Sequence, residues 1–147
     1  MAYANCVTVQ KFDEIEKLCF DNYLEKMQQE NPLDDWNSDK FQVAVSEYKR
    51  FLTLKRLYPG LSLSPTKLMD AVWHSHILDT KQYHLDCGRI FGKYLHHSPQ
   101  FGFSKNSQQT EAKENLLRLY KQNYGSLPVG HSTSACYDIC QDDGGCE

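Results

Sequence analysis

The stretch that decides the fold is DAVWHSHILDTKQYHLDC, which runs from Asp70 to Cys87. Its eighteen residues include three histidines, three aspartates, a tryptophan, a tyrosine and a cysteine. The remaining positions are typical of an amphipathic helix. The stretch therefore concentrates, on one predicted helix, groups that can bind a metal or move a proton.

The flanking sequence predicts helices on both sides of this stretch and no strand. Apolar residues at helical spacing predict helices over 9–29, 39–57 and 110–124. Ser64 is a good N-cap, with Pro65 at the first helical position, for a third helix that reaches Phe91 and has room for an internal break. Proline, glycine and asparagine mark the connections, and no segment alternates as a half-buried strand would. We expect an all-α, single-domain bundle of four to six helices.

The body of the chain and its C-terminal part differ in composition. Residues 1–128 form the predicted helical domain, whereas residues 129–147 are small and polar and predict a flexible C-terminal tail. Three cysteines crowd that tail: Cys136, Cys140 and Cys146. They suggest either a site for a soft metal, a disulfide, or no ordered structure at all.

Composition excludes several classes of function. The 147 residues have a net charge of −3, so no basic face predicts nucleic-acid binding. No apolar run approaches the roughly 20 residues that a membrane span needs, and the N-terminus lacks the apolar core of a signal peptide. There is no phosphate loop, zinc-protease motif or nucleophile elbow. We expect a cytoplasmic protein of unknown oligomeric state.

The spacing of the histidines both suggests and complicates a metal site. Asp70 and His74 are four residues apart and share one helix face. His74 and His76 are two apart and diverge by about 200° on an ideal helix, so one metal can bind both only if the helix is distorted. A loop histidine, His96 or His97, could close the site from outside.

The donor types indicate which metal and which chemistry to expect. Imidazoles with a carboxylate suit zinc or iron, and copper is also possible. An incomplete ligand shell would leave a catalytic position for a small-molecule or peptide substrate. Tyr83 and Asp86 are then the candidate proton-transfer groups, and Cys87 is a candidate ligand, nucleophile or core thiol.

The sequence over 48–102 closely resembles the glycine-rich domain-containing protein-like family. The matching positions combine an aspartate, Trp-His-x-His, Thr-x-x-Tyr, a cysteine, a glycine and His-x-Pro. Asp70 stands three residues before the tryptophan, one more than in the family pattern, so the motif supports it least. The resemblance implies a small helical domain, implies no activity, and selects His97 over His96. The matched residues are Asp70, Trp73, His74, His76, Thr80, Tyr83, Cys87, Gly92, His97 and Pro99.

Three functions remain open from the sequence. The first is a mononuclear metalloenzyme, hydrolytic or oxidative, whose metal is held by His74, His76, His97 and Asp70. The second is a non-catalytic interaction module that a metal stabilises. The third is a thiol enzyme in which His84 or His97 activates Cys87.

Overall fold

Six α-helices and one 3₁₀ turn make up the computed structural model, which describes residues 10–97 and 107–131. These residues contain no strand, so the predicted all-α class is confirmed. The helices are α1 (Asp13–Glu16), α2 (Tyr23–Glu30), α3 (Ser38–Leu57), α4 (Lys67–Leu78), α5 (Thr80–Phe91) and α6 (Ser107–Tyr124), and the 3₁₀ turn is Pro32–Asp34.

Helix α3 is the centre of the core. Its N-cap is Asn37, whose side chain accepts a hydrogen bond from the Lys40 amide. The helix packs most extensively against α4, and α4 in turn contacts α2 and α5. The apolar residues of α3 that are buried in this core are Phe41, Ala44, Tyr48, Phe51, Leu52 and Leu54.

The N-terminal segment forms two short helices where the sequence predicted one. The break between α1 and α2 lets both Ile15 and Phe20 enter the core, where each is almost fully buried. On an unbroken helix these two side chains would point about 140° apart. Core packing therefore overrides the local helical pattern here.

The predicted third helix is likewise two helices, and it begins later than expected. Asp79 separates α4 from α5 with a non-helical backbone, and its amide bonds to the carbonyls of Ser75 and His76. The N-cap is Thr66, whose side chain accepts from the Met69 amide; the predicted cap, Ser64, instead pairs its amide with the Ala112 carbonyl of α6. The Ser64 cap prediction is wrong because α4 begins only at Lys67, and the Ser64 amide is paired with α6 instead.

The other predicted boundaries can be compared only where the structure describes the chain. Helix α3 agrees with the prediction to within one residue, and α6 begins three residues early and ends as predicted, before Gly125 with φ of 76°. Most of the predicted tail, including its three cysteines, lies outside the described residues.

None of the described helices is long and apolar enough to cross a membrane.

Two substitutions distinguish the observed cap of α4 from the predicted one. Thr66→Ala removes the acceptor for the Met69 amide, so we expect it to lower the free energy of unfolding by about 1 kcal/mol. Ser64→Ala should cost clearly less, because the bond made by Ser64 is through its backbone. Urea unfolding followed by circular dichroism measures both, and a larger loss for Ser64→Ala would contradict the assignment.

Candidate metal centre

Three side chains that can bind a metal meet on the surface beside α4. Asp70 and His74 lie one turn apart on α4, and His97 reaches them from the loop that follows α5. His97 Nε2 is 2.6 Å from Asp70 Oδ1, and His74 Nε2 is 3.3 Å from Asp70 Oδ2. The Asp70 carboxylate thus bridges two imidazoles, one from the helix and one from the loop.

The spacing of these atoms fits a single ion. One donor atom from each of the three residues lies within 4.8 Å of the other two. In a tetrahedral zinc site with bonds of about 2.0–2.1 Å, neighbouring ligand atoms are about 3.3 Å apart. Small side-chain shifts would therefore bring these three donors to coordination distance. The His74 side chain is 58% exposed, so the cluster faces solvent.

A buried hydrogen-bond chain holds the loop that carries His97. Trp73 Nε1 donates to Tyr83 Oη at 2.9 Å, and the Tyr83 hydroxyl donates to the Leu95 carbonyl. The Trp73 ring also packs against the His97 ring, with centroids 4.2 Å apart. Because Trp73 precedes His74 and Leu95 lies two residues before His97, this chain fixes both sides of the cluster.

His76 points the opposite way from His74 and joins a different network. It is 1% exposed, and both of its ring nitrogens are engaged: Nδ1 lies 2.8 Å from Tyr48 Oη, and Nε2 lies 2.8 Å from Asp86 Oδ2. Gln82 completes the network by donating to the other oxygen of Asp86. Because α4 is one regular helix, His74 and His76 lie on different sides of it, and of the two only His74 joins Asp70 and His97.

The partners of His76 fix its tautomer. An Asp86 carboxylate can only accept, so His76 Nε2 carries the proton and Nδ1 accepts from the Tyr48 hydroxyl. Burial lowers the pKa of His76, although its bond to Asp86 opposes the shift. Burial also raises the pKa of Tyr48, so the phenol keeps its proton. The network consists of a neutral imidazole between a donor and an acceptor.

The three predicted catalytic residues all lie in the interior. Tyr83, Asp86 and Cys87 are on the buried face of α5, and none belongs to the group formed by Asp70 and its two histidines. Burial raises the pKa of the Cys87 thiol, whose neighbours are the Tyr83 hydroxyl and the backbone of Leu95. A buried thiol with a raised pKa has little thiolate character, which disfavours the thiol-enzyme hypothesis.

Sequence reasoning missed two parts of this architecture. Tyr48 lies in the predicted helix over 39–57, where the apolar pattern assigns it no polar role, yet its hydroxyl is the partner of His76. The Leu95 carbonyl, which anchors the loop, is a backbone group with no signature in the sequence. The sequence did offer one signal for the role of Tyr48: a tyrosine on the apolar face of a helix buries its hydroxyl, and a buried hydroxyl needs a hydrogen-bond partner.

A shallow depression on α5 is separate from the cluster. It is open, has a volume of about 420 Å³ and is lined by Thr80, Lys81, His84 and Leu85. None of these residues belongs to the Asp70 group, so the depression supplies no substrate pocket for the cluster.

The depressed pKa of His76 predicts loss of stability in acid. The unfolded chain, in which histidine has its ordinary pKa of about 6.5, takes up a proton that folded His76 resists. The free energy of unfolding should therefore fall as pH drops below about 6.5, by at most about 1.4 kcal/mol per pH unit from this residue. His76→Gln, which can keep one donor and one acceptor, should flatten the dependence. His84→Gln is the exposed control, and equal flattening in both would contradict the assignment.

Removing one hydroxyl tests the anchor of the loop. Tyr83→Phe leaves Trp73 Nε1 and the Leu95 carbonyl without their buried partner, so we expect a loss of about 1–3 kcal/mol in the free energy of unfolding. Tyr94→Phe is the matched control, because Tyr94 is an exposed tyrosine whose ring packs against that of Tyr83. Urea denaturation at neutral pH compares them. Equal stability of Tyr83→Phe and the unaltered protein would show that this bond does not hold the loop.

Comparison with known proteins shows the family. Glycine-rich domain-containing protein 1 of Arabidopsis thaliana is 36% identical over 91 residues, an alignment that covers 51% of this chain and 11% of that protein. The chain thus spans only about a tenth of this curated relative, and no solved structure matches it significantly. The resemblance to glycine-rich domain-containing proteins is confirmed. A family model described as UCP032817-like matches residues 10–124, more than half of the chain, and the chain belongs to that UCP032817-like family.

Proposed function

We propose that this protein binds one divalent transition metal through Asp70, His74 and His97 and that the site is the centre of a mononuclear metalloenzyme. The observation that carries the proposal is the convergence of these three donors from two separate elements within 4.8 Å. His76 is left out of the ligand set, because both of its nitrogens are committed to buried partners.

The donor set favours zinc or iron. Two histidines and one carboxylate occur in catalytic zinc sites and in the facial triads of non-haem iron enzymes. Copper is a third candidate, since imidazole also suits it. A metal held by three protein groups keeps further positions for water or substrate, and it supplies Lewis acidity there. Whether the reaction is hydrolytic or oxidative follows from the metal.

Exposure of the site supports an open centre over a closed structural one. His74 and Asp70 have side chains that are 58% and 39% exposed, so solvent and a small molecule or peptide can approach them. The substrate would be bound at the surface, beside these two exposed side chains. We also propose that the protein acts in the cytoplasm.

A non-catalytic, metal-stabilised module is the second candidate. The observation that favours it is the bond between His97 and Asp70, which links the loop after α5 to α4 as a structural metal would. The apolar core, however, packs without these three residues. We therefore expect the metal-free protein to keep a cooperative thermal transition, whereas a structural site would require metal for folding.

Measurement of bound metal tests the proposal directly. Purified, untagged protein should carry close to one zinc or iron per chain by elemental analysis, and His74→Ala/His97→Ala should lose it. The matched control is His84→Ala/His96→Ala, which removes two exposed histidines outside the cluster, one of them adjacent to His97. Equal metal content in the two double variants would overturn the site, as would metal-free wild-type protein after anaerobic purification from metal-supplemented medium.

A further inference from the structure

We propose that Glu47 is a proton-dependent contact between α3 and α6. Helix α6 docks firmly while the Glu47 carboxyl carries a proton, and loss of that proton weakens the docking. This inference is independent of the proposed metal, because Glu47 lies on α3 and is not a member of the Asp70 group.

Helix α6 is held to the rest of the fold mainly by its side chains. Of the described helices α3 and α4 pack most closely, whereas the backbone of α6 comes near its neighbours at few points. The side chains that α6 buries in the core are those of Leu116, Leu119 and Tyr120. Because so few groups hold this helix, a change of charge at one of its buried contacts is expected to affect its docking.

Glu47 is such a contact, and one of its two carboxyl oxygens is unsatisfied. The residue is 3% exposed, and Tyr120 Oη donates to Glu47 Oε1 at 2.8 Å. Among the described residues Glu47 Oε2 has no hydrogen-bond partner. A buried carboxylate with an unpaired oxygen is costly, because a desolvated charge needs compensating bonds. A proton on Oε2 removes the charge and leaves Oε1 free to accept from Tyr120.

The groups that face Glu47 come from α3, α6 and the segment after α6. Burial is the largest influence, and it raises the pKa of Glu47. The Tyr120 hydroxyl, the Arg50 charge and the Val129 backbone favour the charged form but do not cancel the effect of burial. Arg50 donates to Tyr120 Oη at 2.7 Å, and its guanidinium lies 4.7 Å from the centre of the Tyr124 ring. The Tyr120 hydroxyl therefore bridges Arg50 and Glu47.

The direction of the pH dependence follows from these surroundings. Glutamate in the unfolded chain has its ordinary pKa of 4.5, whereas folded Glu47 holds its proton to higher pH. Between these two pKa values the folded protein binds more protons than the unfolded chain, so its stability falls as pH rises. The contribution of Glu47 is complete below the ordinary pKa and is lost as pH rises through the folded one. This direction is opposite to that of His76, which destabilises the fold as pH falls.

Glu47→Gln tests the contact, because glutamine keeps an acceptor for Tyr120 and cannot ionise. The control is Glu114→Gln, the same change at an exposed glutamate of α6. Urea unfolding from about pH 4.5 to about pH 8.5 gives the equilibrium constant of unfolding, and its ratio to that of the wild type cancels the effect of His76. Hydrogen exchange measures the protection of the α6 amides. Carbon-13 NMR of the Glu47 carboxyl reports its protonation in the unaltered protein.

The unfolding constant of the wild type relative to Glu47→Gln should rise with pH, by at most about tenfold per pH unit. Protection of the α6 amides should fall with rising pH in the wild type and in Glu114→Gln but not in Glu47→Gln. An equal pH trend in the two variants would overturn the proposal, as would titration of the Glu47 carboxyl at its ordinary pKa. A loss of protection spread evenly over α3, α4 and α6 would also overturn it, because the docking of α6 would then not be the step affected.

Discussion

The arrangement of the candidate site depends on the hydrogen bonds that pass from Trp73 through Tyr83 to the Leu95 carbonyl. These bonds join α4, α5 and the following loop in one buried contact. Gly92 and Tyr94 of this loop are exposed, and the further contacts of the loop with α4 include the packing of the His97 ring on Trp73 and the bond from His97 to Asp70. The approach of His97 to Asp70 is therefore set by the Tyr83 bonds together with the Trp73 ring. The geometry of a surface cluster is thus set by polar groups in the interior, as is common for precisely oriented ligands.

The position of each histidine on α4 follows from the rotation of that helix. His76 is held by Tyr48 on one side and by Asp86 on the other, and these bonds allow little rotation of α4 about its axis. His74 precedes His76 by two residues, so its side chain points to nearly the opposite side of α4. With His76 held in the interior, His74 is directed outward, one turn from Asp70. The buried network and the surface cluster share no residue, yet one orients the other through a single rigid helix.

The sequence predicted the helical class, the middle helices and three members of the surface cluster. Local patterns suffice for these because apolar spacing and helix geometry depend on neighbouring residues. Local patterns gave wrong helix boundaries, or no partner at all, where contacts between residues distant in the sequence determine the structure. The break between α1 and α2 lets Phe20 enter the core, and the cap at Thr66 follows from the pairing of Ser64 with α6. The partner of His76 is 28 residues away on α3, and no pattern in the sequence connects the two.

The dense motif of Asp70–Cys87 therefore combines two different uses of the same residue types. A buried imidazole with both nitrogens bonded has no lone pair to offer a metal, whereas an exposed imidazole beside a carboxylate keeps that capacity. Burial thus distinguishes the two histidines: His76 is buried and stabilises the interior, whereas His74 is exposed and available to a ligand. The same reasoning applies to the aspartates, since Asp86 is enclosed with His76 while Asp70 is half-exposed between two histidines. The same residue types thus serve both a part of the core and the candidate site within α4, α5 and the loop that follows them.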